Sequence, residues 1–423
     1  MLPEHSNYYS EFKISRMARF RRMLVTQTAL SYDPASFEDQ DNPFPIYRRM
    51  QEEQPLYHNA EVGFWALTRF EDVAAGLVDH AALSSARGTL IESIRSDEPP
   101  PDMIIFQDPP RHDTLRKIVS RAFTPRRVSE LDAKVRGMAA GWLDPLVAGG
   151  GGEVVADFAG LLPMAVIAAL LGAPDDDRAH IRSLSDRLMV REEGSLDRPG
   201  DAQSAGAELW VYFSELVASR RRAPRDDLAT ALVEATIVDD DGAQQRLSDE
   251  EIVWFCLLLG VAGNETTTKL ITTGVVALAD FPGERARLVA DPGLWPNAVE
   301  EVLRFDPPSH YQGRVTTRPM LWHGQEVPAG ETVLLVNGAA NRDPRVFTDP
   351  DVFRVDRVID RHLAFGKGVH FCLGAALARL ETRIALEEFL RRFPDYEVDR
   401  AGFERAYSSN VRGLSKVPFT ATT

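Results

Sequence analysis

Residues 365–374 read FGKGVHFCLG and place Cys372 in a glycine-rich loop directly before a helical stretch. The chain has one other cysteine, Cys256, so Cys372 has no nearby partner for a disulfide or a four-cysteine metal cage. Free amide N–H groups at a helix N-terminus lower the pKa of a thiol in front of them. A thiolate held in this way can be the axial ligand of a haem iron, whereas a lone cysteine in another setting is commonly a buried core residue.

This loop resembles the haem-binding loop of the cytochrome P450 family, since all six fixed positions of Phe-Gly-x-Gly-x-His-x-Cys-x-Gly are filled. The resemblance implies haem b as the cofactor and Cys372 as the proximal ligand of its iron. It also implies that His370 contacts a haem propionate and that Phe365 packs under the ring. Gly366 belongs to the same loop, where glycine lets the backbone turn sharply beneath the porphyrin.

Composition places the chain among globular proteins. Of its 423 residues 44% are hydrophobic and 26% charged, and the formal net charge is −15, from 48 basic and 63 acidic side chains. This negative field argues against nucleic acid as a partner. Both cysteines are expected to be reduced, as in a cytoplasmic protein. No stretch is long and apolar enough for a membrane span, since the best candidate, residues 158–173, is short and contains Pro163.

Helical patterns dominate the chain, and strand signals cluster in its C-terminal third, which predicts a mainly α fold with a smaller β region. Residues 1–42 are expected to form a partly extended leader, and residues 43–423 a single haem-thiolate domain. Residues 127–147 read as one amphipathic helix, and residues 149–152 as a flexible turn. The resemblance implies the cytochrome P450 fold, with haem sandwiched between a long distal helix and a proximal helix.

A Ser-x-x-Glu capping box at residues 248–251 opens a long apolar helix. Residues 262–268, AGNETTT, are poor helix formers and predict either a local distortion beside a ligand or a frayed end. This run resembles the family's oxygen-binding signature. The resemblance implies that Glu265 and Thr266 are the catalytic pair that delivers protons, and that Gly263 leaves room for O2 above the iron.

Further segments of the chain match other elements of the family. Glu301 and Arg304 lie one helical turn apart, a spacing that alone is most often surface decoration. Their position before the cysteine loop resembles the Glu-x-x-Arg element, with Arg357 as the third member of a structural network.

The haem propionates also require basic partners. His112 and Arg116 are four residues apart, a spacing that puts both on one helical face, which could be a plain solvated face. The segment resembles the propionate-binding helix of the family, and Arg314 matches a further propionate arginine.

The substrate pocket is expected on the distal side of the haem. By resemblance its lining includes Leu258, Val261, Ala262, Ser309, His310 and Tyr311. Most of the lining regions are apolar or aromatic, which predicts a lipophilic substrate such as a steroid, terpenoid, fatty acyl chain or polyketide. His310 and Tyr311 could supply a polar contact, pack in the wall or face the haem edge.

The resemblance implies a monooxygenase that uses O2 and receives electrons from a separate ferredoxin and ferredoxin reductase. A proximal basic patch of Arg111, Arg121, Arg126, Arg127, Lys367 and Arg379 could steer an acidic ferredoxin. One alternative is a peroxide-driven or non-oxygenating haem-thiolate enzyme, against which the Glu265–Thr266 pair argues. Another is a haem-binding sensor or carrier without turnover.

Overall fold

The computed structural model describes residues 30–120, 123, 125–238 and 244–422. From Asp33 onward the chain forms one compact unit. Residues 1–29 of the expected leader lie outside the described residues. Its last part contains a short helix, Phe37–Asp41, capped by the Ser36 hydroxyl, which accepts from the Asp39 amide. The assignment of residues 43–423 to a single domain stays a prediction.

The first half of the described chain is mainly helical. Its helices are α1 (Phe37–Asp41), α2 (Phe44–Glu53), α3 (Phe70–Val78), α4 (Ile91–Arg95), α5 (Arg111–Val119), α6 (Pro125–Ser129), α7 (Asp132–Gly149), α8 (Leu162–Leu171), α9 (Arg178–Met189), α10 (Gly200–Arg222) and α11 (Leu228–Glu234). The single helix expected over residues 127–147 is therefore two, α6 and α7. Helix α7 ends at Gly150, whose φ of 70° is the left-handed conformation that glycine favours at a helix end.

The second half contains the longest helix. Its helices are α12 (Asp249–Asp280), α13 (Pro282–Ala290), α14 (Trp295–Phe305), α15 (Asn337–Ala340) and α16 (Ala375–Arg392). The capping box of α12 is present, because the Ser248 hydroxyl accepts from the Glu251 amide and the Glu251 carboxylate accepts from the Ser248 amide. The local distortion expected at residues 262–268 is absent, and α12 runs unbroken. Hydroxyls of Thr266 and Thr272 donate to carbonyls four residues earlier, which accommodates threonine within the helix.

The strands are short and form small sheets. They are β1 (Leu56–Asn59), β2 (Phe64–Leu67), β3 (Leu83–Ser84), β4 (Gly151–Glu153), β5 (Thr236–Val238), β6 (Gln244–Arg246), β7 (Gln312–Thr316), β8 (Met320–Trp322), β9 (Gln325–Val327), β10 (Thr332–Leu335), β11 (Tyr396–Val398), β12 (Glu404–Ala406), β13 (Gly413–Lys416) and β14 (Pro418–Ala421). The largest sheet has the order β1-β2-β10-β7-β3. Within it β10 pairs parallel to β2 and antiparallel to β7, so its four residues are buried. The predicted class, mainly α with a smaller β region, is confirmed.

The flexible turn expected at residues 149–152 is in part a strand. Gly151 lies in β4, which pairs antiparallel with β14 near the C-terminus. A side chain at Gly151 would collide with the Phe419 carbonyl, and its φ is 150°. Glycine is thus required here by a partner strand far away in sequence, which a local pattern does not reveal.

The main hydrophobic core surrounds α12. Helix α16 packs closely against α12 at Gly274, where an added Cβ would lie 2.7 Å from a methyl carbon of Leu386. The Tyr396 hydroxyl donates to the Val275 carbonyl over 2.5 Å and ties β11 to the same helix. This packing fixes α12 and α16 as two walls of one interior space. Within the described ranges, none of the helices has the length and apolar character that crossing a membrane requires.

Candidate functional site

A cavity of about 1120 Å³ lies between α12, α16 and the loops around them. Most of the site residues predicted from the sequence line it. They are His112, Arg116, Leu258, Val261, Ala262, Gly263, Glu265, Thr266, Ser309, Arg314, Phe365, Gly366, His370 and Cys372. The fold therefore gathers four separate segments of the chain around one space.

The loop before α16 presents Cys372 to this cavity. Gly366 and Gly368 have φ of 69° and 74°, which an L side chain rarely adopts. At Gly368 a Cβ would also lie 3.0 Å from the Leu77 carbonyl oxygen. The Cys372 amide donates to the Phe365 carbonyl over 2.9 Å and closes the loop. The thiol is exposed, and the surface it meets is the cavity.

The electrostatics of Cys372 differ from the expectation for a helix N-terminus. Burial by surrounding protein raises the pKa of the Cys372 thiol, and the Gly374 amide, Arg116 and Arg379 oppose this only in part. The Gly374 amide lowers the pKa of this thiol, as expected for a helix N-terminus, but its effect is smaller than that of burial. The thiol is open to the cavity yet enclosed by protein on its other sides, so desolvation outweighs the helix terminus. A bound metal cation would supply the missing positive charge, since a thiol that coordinates a metal loses its proton.

One edge of the cavity is basic, and its buried arginine, Arg314, forms no ion pair with a carboxylate among the described residues. Arg314 is 3% exposed, and its guanidinium donates to the Gly313 carbonyl over 2.7 Å. Burial lowers the pKa of Arg314 to about 10. Asp108 is the carboxylate that acts on Arg314, but it accepts from Ser85 and is occupied there. A buried cation without a partner is costly, so this edge suits an anionic ligand.

Two histidines and a second arginine complete this edge. The rings of His112 and His370 lie 4.4 Å apart, and the Nε2 atom of His370 lies 3.3 Å from the Ser85 hydroxyl. Burial and the Arg314 charge lower the pKa of His370 to about 3. Arg116 is half-buried on the same side. Together with the thiol of Cys372, these groups fit a haem, which brings an iron for the sulfur and two propionates for the basic edge.

Thr266 and Glu265 are neighbours on α12 with different surroundings. The Thr266 hydroxyl lines the cavity and donates to the Ala262 carbonyl over 2.6 Å. Glu265 is buried, and its Oε2 atom lies 3.3 Å from the Lys269 ammonium nitrogen. At Gly263 an added Cβ would lie 3.6 Å from Ile167, an ordinary contact distance, so the protein itself does not demand glycine there. Because Gly263 lines the cavity, the lack of a side chain at this position leaves space there for a ligand.

Glu301, Arg304 and Arg357 meet in the protein interior. Arg304 donates to Glu301 from Nε over 2.6 Å and from a terminal nitrogen over 2.8 Å, and Arg357 donates to it over 3.1 Å. The side chains of Glu301 and Arg304 are fully buried, which rules out surface decoration. Both arginines also donate to carbonyls of residues 341–352, which precede the cysteine loop.

Two predicted pocket residues do not line the cavity. His310 is buried beside it, where one ring nitrogen lies 3.1 Å from the Tyr47 hydroxyl and the other 3.0 Å from Asp306. Tyr311 is 1% exposed and packs in the wall. Their assignment to the pocket is therefore wrong. Ser309 and Gln312 line the cavity, whereas His310 is held outside it by Tyr47 and Asp306, and Tyr311 is held by packing.

Sequence reasoning missed several residues of the cavity. Trp210 and Trp254 line it with their rings 4.4 Å apart, and Glu381 of α16 lines it as a fully buried carboxyl. Burial raises the pKa of Glu381 to about 8. Lys269 carried a readable signal, since it is a charged residue in an apolar helix, four residues after Glu265. The tryptophans and Glu381 lie on amphipathic helices, where the sequence does not tell which face meets a cavity.

Part of the expected basic patch carries its own carboxylate partners. Arg111 pairs with Glu251, Arg379 with Glu300 and Arg126 with Glu130. Lys367 is exposed. Arg121 and the side chain of Arg127 lie outside the described residues. The positive field expected from this patch is thus reduced by internal ion pairs.

Comparison with known proteins gives consistent matches. The family model for cytochrome P450 matches residues 294–403. The chain is 44% identical to a putative cytochrome P450 123 of Mycobacterium tuberculosis, covering 94% of this chain and 98% of the relative. It is 38% identical to a vitamin D(3) 25-hydroxylase of Pseudonocardia autotrophica, with the same coverage of 94% and 98%. The bacillaene polyketide synthase cytochrome P450 PksS of Bacillus subtilis superposes with a TM-score of 0.83 at 31% identity, covering 93% of this chain and all of that one.

Proposed function

The chain belongs to the cytochrome P450 family of haem-thiolate monooxygenases, and from this premise we propose that it oxidises a lipophilic small molecule in the cavity above Cys372. Haem, the cofactor of this family, supplies the iron that binds and activates O2, and a thiolate ligand favours O–O cleavage. The single observation that carries the proposal is the placement of the Cys372 thiol in a cavity whose edge holds the buried Arg314, which forms no ion pair within the described part of the chain.

The residues of the cavity divide the work of holding the cofactor. Cys372 would ligate the iron, and the left-handed turn at Gly366 would let the loop backbone approach the cofactor closely. Arg314 and Arg116 would neutralise the propionates, which removes the cost of burying an uncompensated cation, and the two histidines, whose pKa values burial lowers, would donate hydrogen bonds to them as neutral rings. Phe365 lies in the wall of the same cavity. The guanidinium carbon of Arg379 lies over the Phe365 ring, 4.6 Å from the ring centre.

Glu265 and Thr266 would handle protons on the distal side. The Thr266 hydroxyl faces the cavity and donates to the Ala262 carbonyl, and it would turn to an acceptor inside the cavity during the reaction. Glu265, the residue before it, is buried and contacts Lys269. A hydroxyl backed by a carboxylate can pass a proton to a reacting oxygen. The glutamate is one methylene longer than aspartate and reaches Lys269 within its own helix.

The walls of the cavity favour an apolar substrate. Leu258, Val261 and Ala262 line it from α12, and the tryptophan pair of Trp210 and Trp254 adds aromatic surface. Among the relatives, one is a vitamin D(3) hydroxylase and one belongs to a polyketide synthase. We therefore propose a rigid lipophilic substrate of sterol or polyketide size, in preference to the terpenoid and fatty acyl classes.

Electrons for the reaction would come from a separate ferredoxin and ferredoxin reductase, and the protein would act in the cytoplasm with residues 43–423 as one haem-thiolate domain. This partner class follows from the family premise. Because several arginines of the expected patch are internally paired, we propose that Lys367 and the loop before Cys372 contribute more to docking than Arg111 or Arg379.

The ligand assignment is tested with the reduced carbon monoxide complex. We expect the Soret band specific to thiolate ligation in the wild type and in Cys256→Ser, whose thiol is buried in the core. Cys372→His should lose this band while still binding haem. A thiolate band that persists in Cys372→His would contradict the assignment.

Substrate class and reaction are tested together. A screen of sterols and polyketides should find compounds that shift the ferric haem from low to high spin, and these should be oxidised with a ferredoxin, its reductase and NADPH. Sustained turnover with peroxide alone, unaffected by Thr266→Ala, would instead favour the peroxide-driven alternative. Absence of product across the library would favour the sensor.

A further inference from the structure

A buried ion pair forms part of the cavity wall. Arg191, which follows α9, lines the cavity of about 1120 Å³, and Glu92 of α4 lines a second, smaller cavity of about 830 Å³. A terminal nitrogen of Arg191 donates to the Oε1 atom of Glu92 over 3.0 Å, and each side chain is only 6% exposed. Ser409, which lies between β12 and β13, donates to the same Oε1 atom over 2.8 Å. Three distant segments of the chain therefore meet at this point of the wall.

Tyr311 belongs to the same group. Ser309 bridges to Val411 in antiparallel register, so Tyr311, two residues later, is opposite Ser409, two residues earlier. Residues directly opposite in an antiparallel pair point to the same face, with their Cβ atoms about 4.5–5.5 Å apart. Burial and the nearby charge of Glu92 raise the pKa of Tyr311, and the Ser409 hydroxyl and an amide of α4 oppose this in part, which agrees with the placement.

Three polar atoms of this group are buried and form no hydrogen bond with any residue in the described part of the chain. They are Nε of Arg191, Oε2 of Glu92 and the hydroxyl oxygen of Tyr311. The terminal nitrogens of Arg191 are already engaged, by Glu92 and by the carbonyls of Leu188 and Val190. Since a buried polar atom without a partner is costly, this group favours a ligand that pairs with all three.

The three atoms define the chemistry of such a ligand. Nε of an arginine only donates a hydrogen bond, a carboxylate oxygen only accepts one, and a phenol hydroxyl does both. The charges of Arg191 and Glu92 compensate each other, so a charged ligand would leave one buried charge unbalanced. A neutral hydroxyl oxygen, which accepts one hydrogen bond and donates another, matches this set.

We propose that Glu92, Arg191, Tyr311 and Ser409 form a binding site for a hydroxyl oxygen, which belongs to water in the substrate-free protein and to the substrate in its complex. This inference rests on the proposed function, because it places a lipophilic alcohol, such as a sterol, in the cavity that Arg191 lines. Holding a rigid molecule by one hydroxyl fixes which of its carbons lies beside Thr266. The site therefore determines specificity and takes no part in the oxidation.

The site is tested with two sterols that differ only in the 3-hydroxyl, cholestanol and cholestane. Spin-state titration of the ferric holoenzyme should give a Kd for cholestanol that is roughly 10- to 100-fold lower, the effect of a hydrogen bond to a charged group. Tyr311→Phe should remove most of this preference, because it lacks the hydroxyl. Arg191→Lys should do the same, because it keeps a cation for Glu92 but lacks the Nε donor.

A matched control uses another tyrosine of the same region. The Tyr407 hydroxyl already donates to Asp41 over 3.0 Å, so Tyr407→Phe should keep the wild-type preference for cholestanol. Equal affinity of the wild type for the two sterols would overturn substrate recognition at this site. The same conclusion would follow from an unchanged preference in both Tyr311→Phe and Arg191→Lys.

Crystal structures of the holoenzyme distinguish the two sources of the oxygen. Without substrate, an ordered water should lie within hydrogen-bond distance of Arg191 Nε and Glu92 Oε2, and the 3-hydroxyl of bound cholestanol should replace it. A water that stays in place beside bound cholestanol would reject substrate recognition, and no oxygen in either crystal would overturn the site itself. Binding of neither sterol would instead reject the proposed substrate class, while the substrate-free crystal would still decide whether the group binds a hydroxyl oxygen.

Discussion

The buried network around Glu301 gives a prediction with a magnitude. In Glu301→Gln, the side chain keeps its shape but loses the charge that accepts four hydrogen bonds, two from Arg304, one from Arg357 and one from the Arg354 amide. The amide nitrogen of glutamine would also point an N–H group at one of these donors. Two buried guanidinium groups would then lack their counter-charge, and such a break costs about 3–5 kcal/mol.

This cost translates into a modest but measurable loss of thermal stability. Unfolding entropy is about 2.1 cal/mol/K per residue, which for the roughly 390 residues from Asp33 onward gives about 0.8 kcal/mol/K. A loss of about 3–5 kcal/mol therefore lowers Tm by about 4–6 °C. We expect this shift in differential scanning calorimetry of the holoenzyme, together with faster haem loss, because the carbonyls bound by the arginines precede the cysteine loop.

A matched control separates this network from ordinary surface ion pairs. Glu71 pairs with Arg361 over 2.6 Å, and both side chains are more than half exposed. Glu71→Gln should lower Tm by about 1 °C or less, since exposed pairs contribute little. Equal shifts for Glu301→Gln and Glu71→Gln would refute the argument that burial makes the Glu301 network important.

Three further outcomes are expected. Thr266→Ala should divert electrons from product to peroxide, with roughly 10-fold less product per reductant consumed; unchanged coupling would reject its proton role. Arg314→Ala should speed haem transfer to an acceptor protein about 10- to 100-fold, because a hydrogen bond to a charged group contributes about 1.5–3 kcal/mol; an unchanged transfer rate would reject the propionate assignment. Burial would raise the pKa of Glu300, but hydrogen bonds from His362 and Arg379 lower it from 4.5 to about 2. The stabilising contribution of the Glu300 carboxylate is thus present above pH 4.5 and is lost as the pH falls through about 2. The difference in Tm between the wild type and Glu300→Gln should therefore shrink below about pH 4. A difference that grows at low pH would contradict this argument.

Local signals in the sequence predicted the elements that position the site. The capping box and the apolar run that follows it define α12, and the strand signals of the C-terminal third correspond to strands β7 to β14. Both signals are local, because they rest on neighbouring residues. Strand β4 was missed because its partner, β14, lies more than 260 residues away in the sequence. Pairing with β14 makes a strand of a glycine-rich segment in which local propensity does not predict one.

Residues of the site could be predicted from the sequence where a motif identifies them. Side-chain orientations and pKa values that depend on tertiary packing could not. The positions of Cys372, Arg314 and Thr266 around one cavity follow from motifs. The exclusion of His310 depends on Asp306 and Tyr47, which capture both of its ring nitrogens in three dimensions. The pKa of Cys372 depends on burial by distant segments, which outweighs the local helix N-terminus.

Three groups of buried charge lie in the interior or beside the cavity, and the way each is compensated indicates its role. Around Glu301 the charges are satisfied within the protein, by each other and by carbonyls, which suits a scaffold that does not change. At Arg314 the positive charge lacks an internal anion, which suits a permanent anionic ligand.

At Glu265 the arrangement differs from both. Lys269 compensates the Glu265 carboxylate from one helical turn away, over 3.3 Å. Both side chains are buried, while Thr266, the residue after Glu265, lines the cavity with its hydroxyl. A carboxylate compensated within its own helix and followed by a hydroxyl at the cavity suits the proton delivery proposed for Glu265 and Thr266.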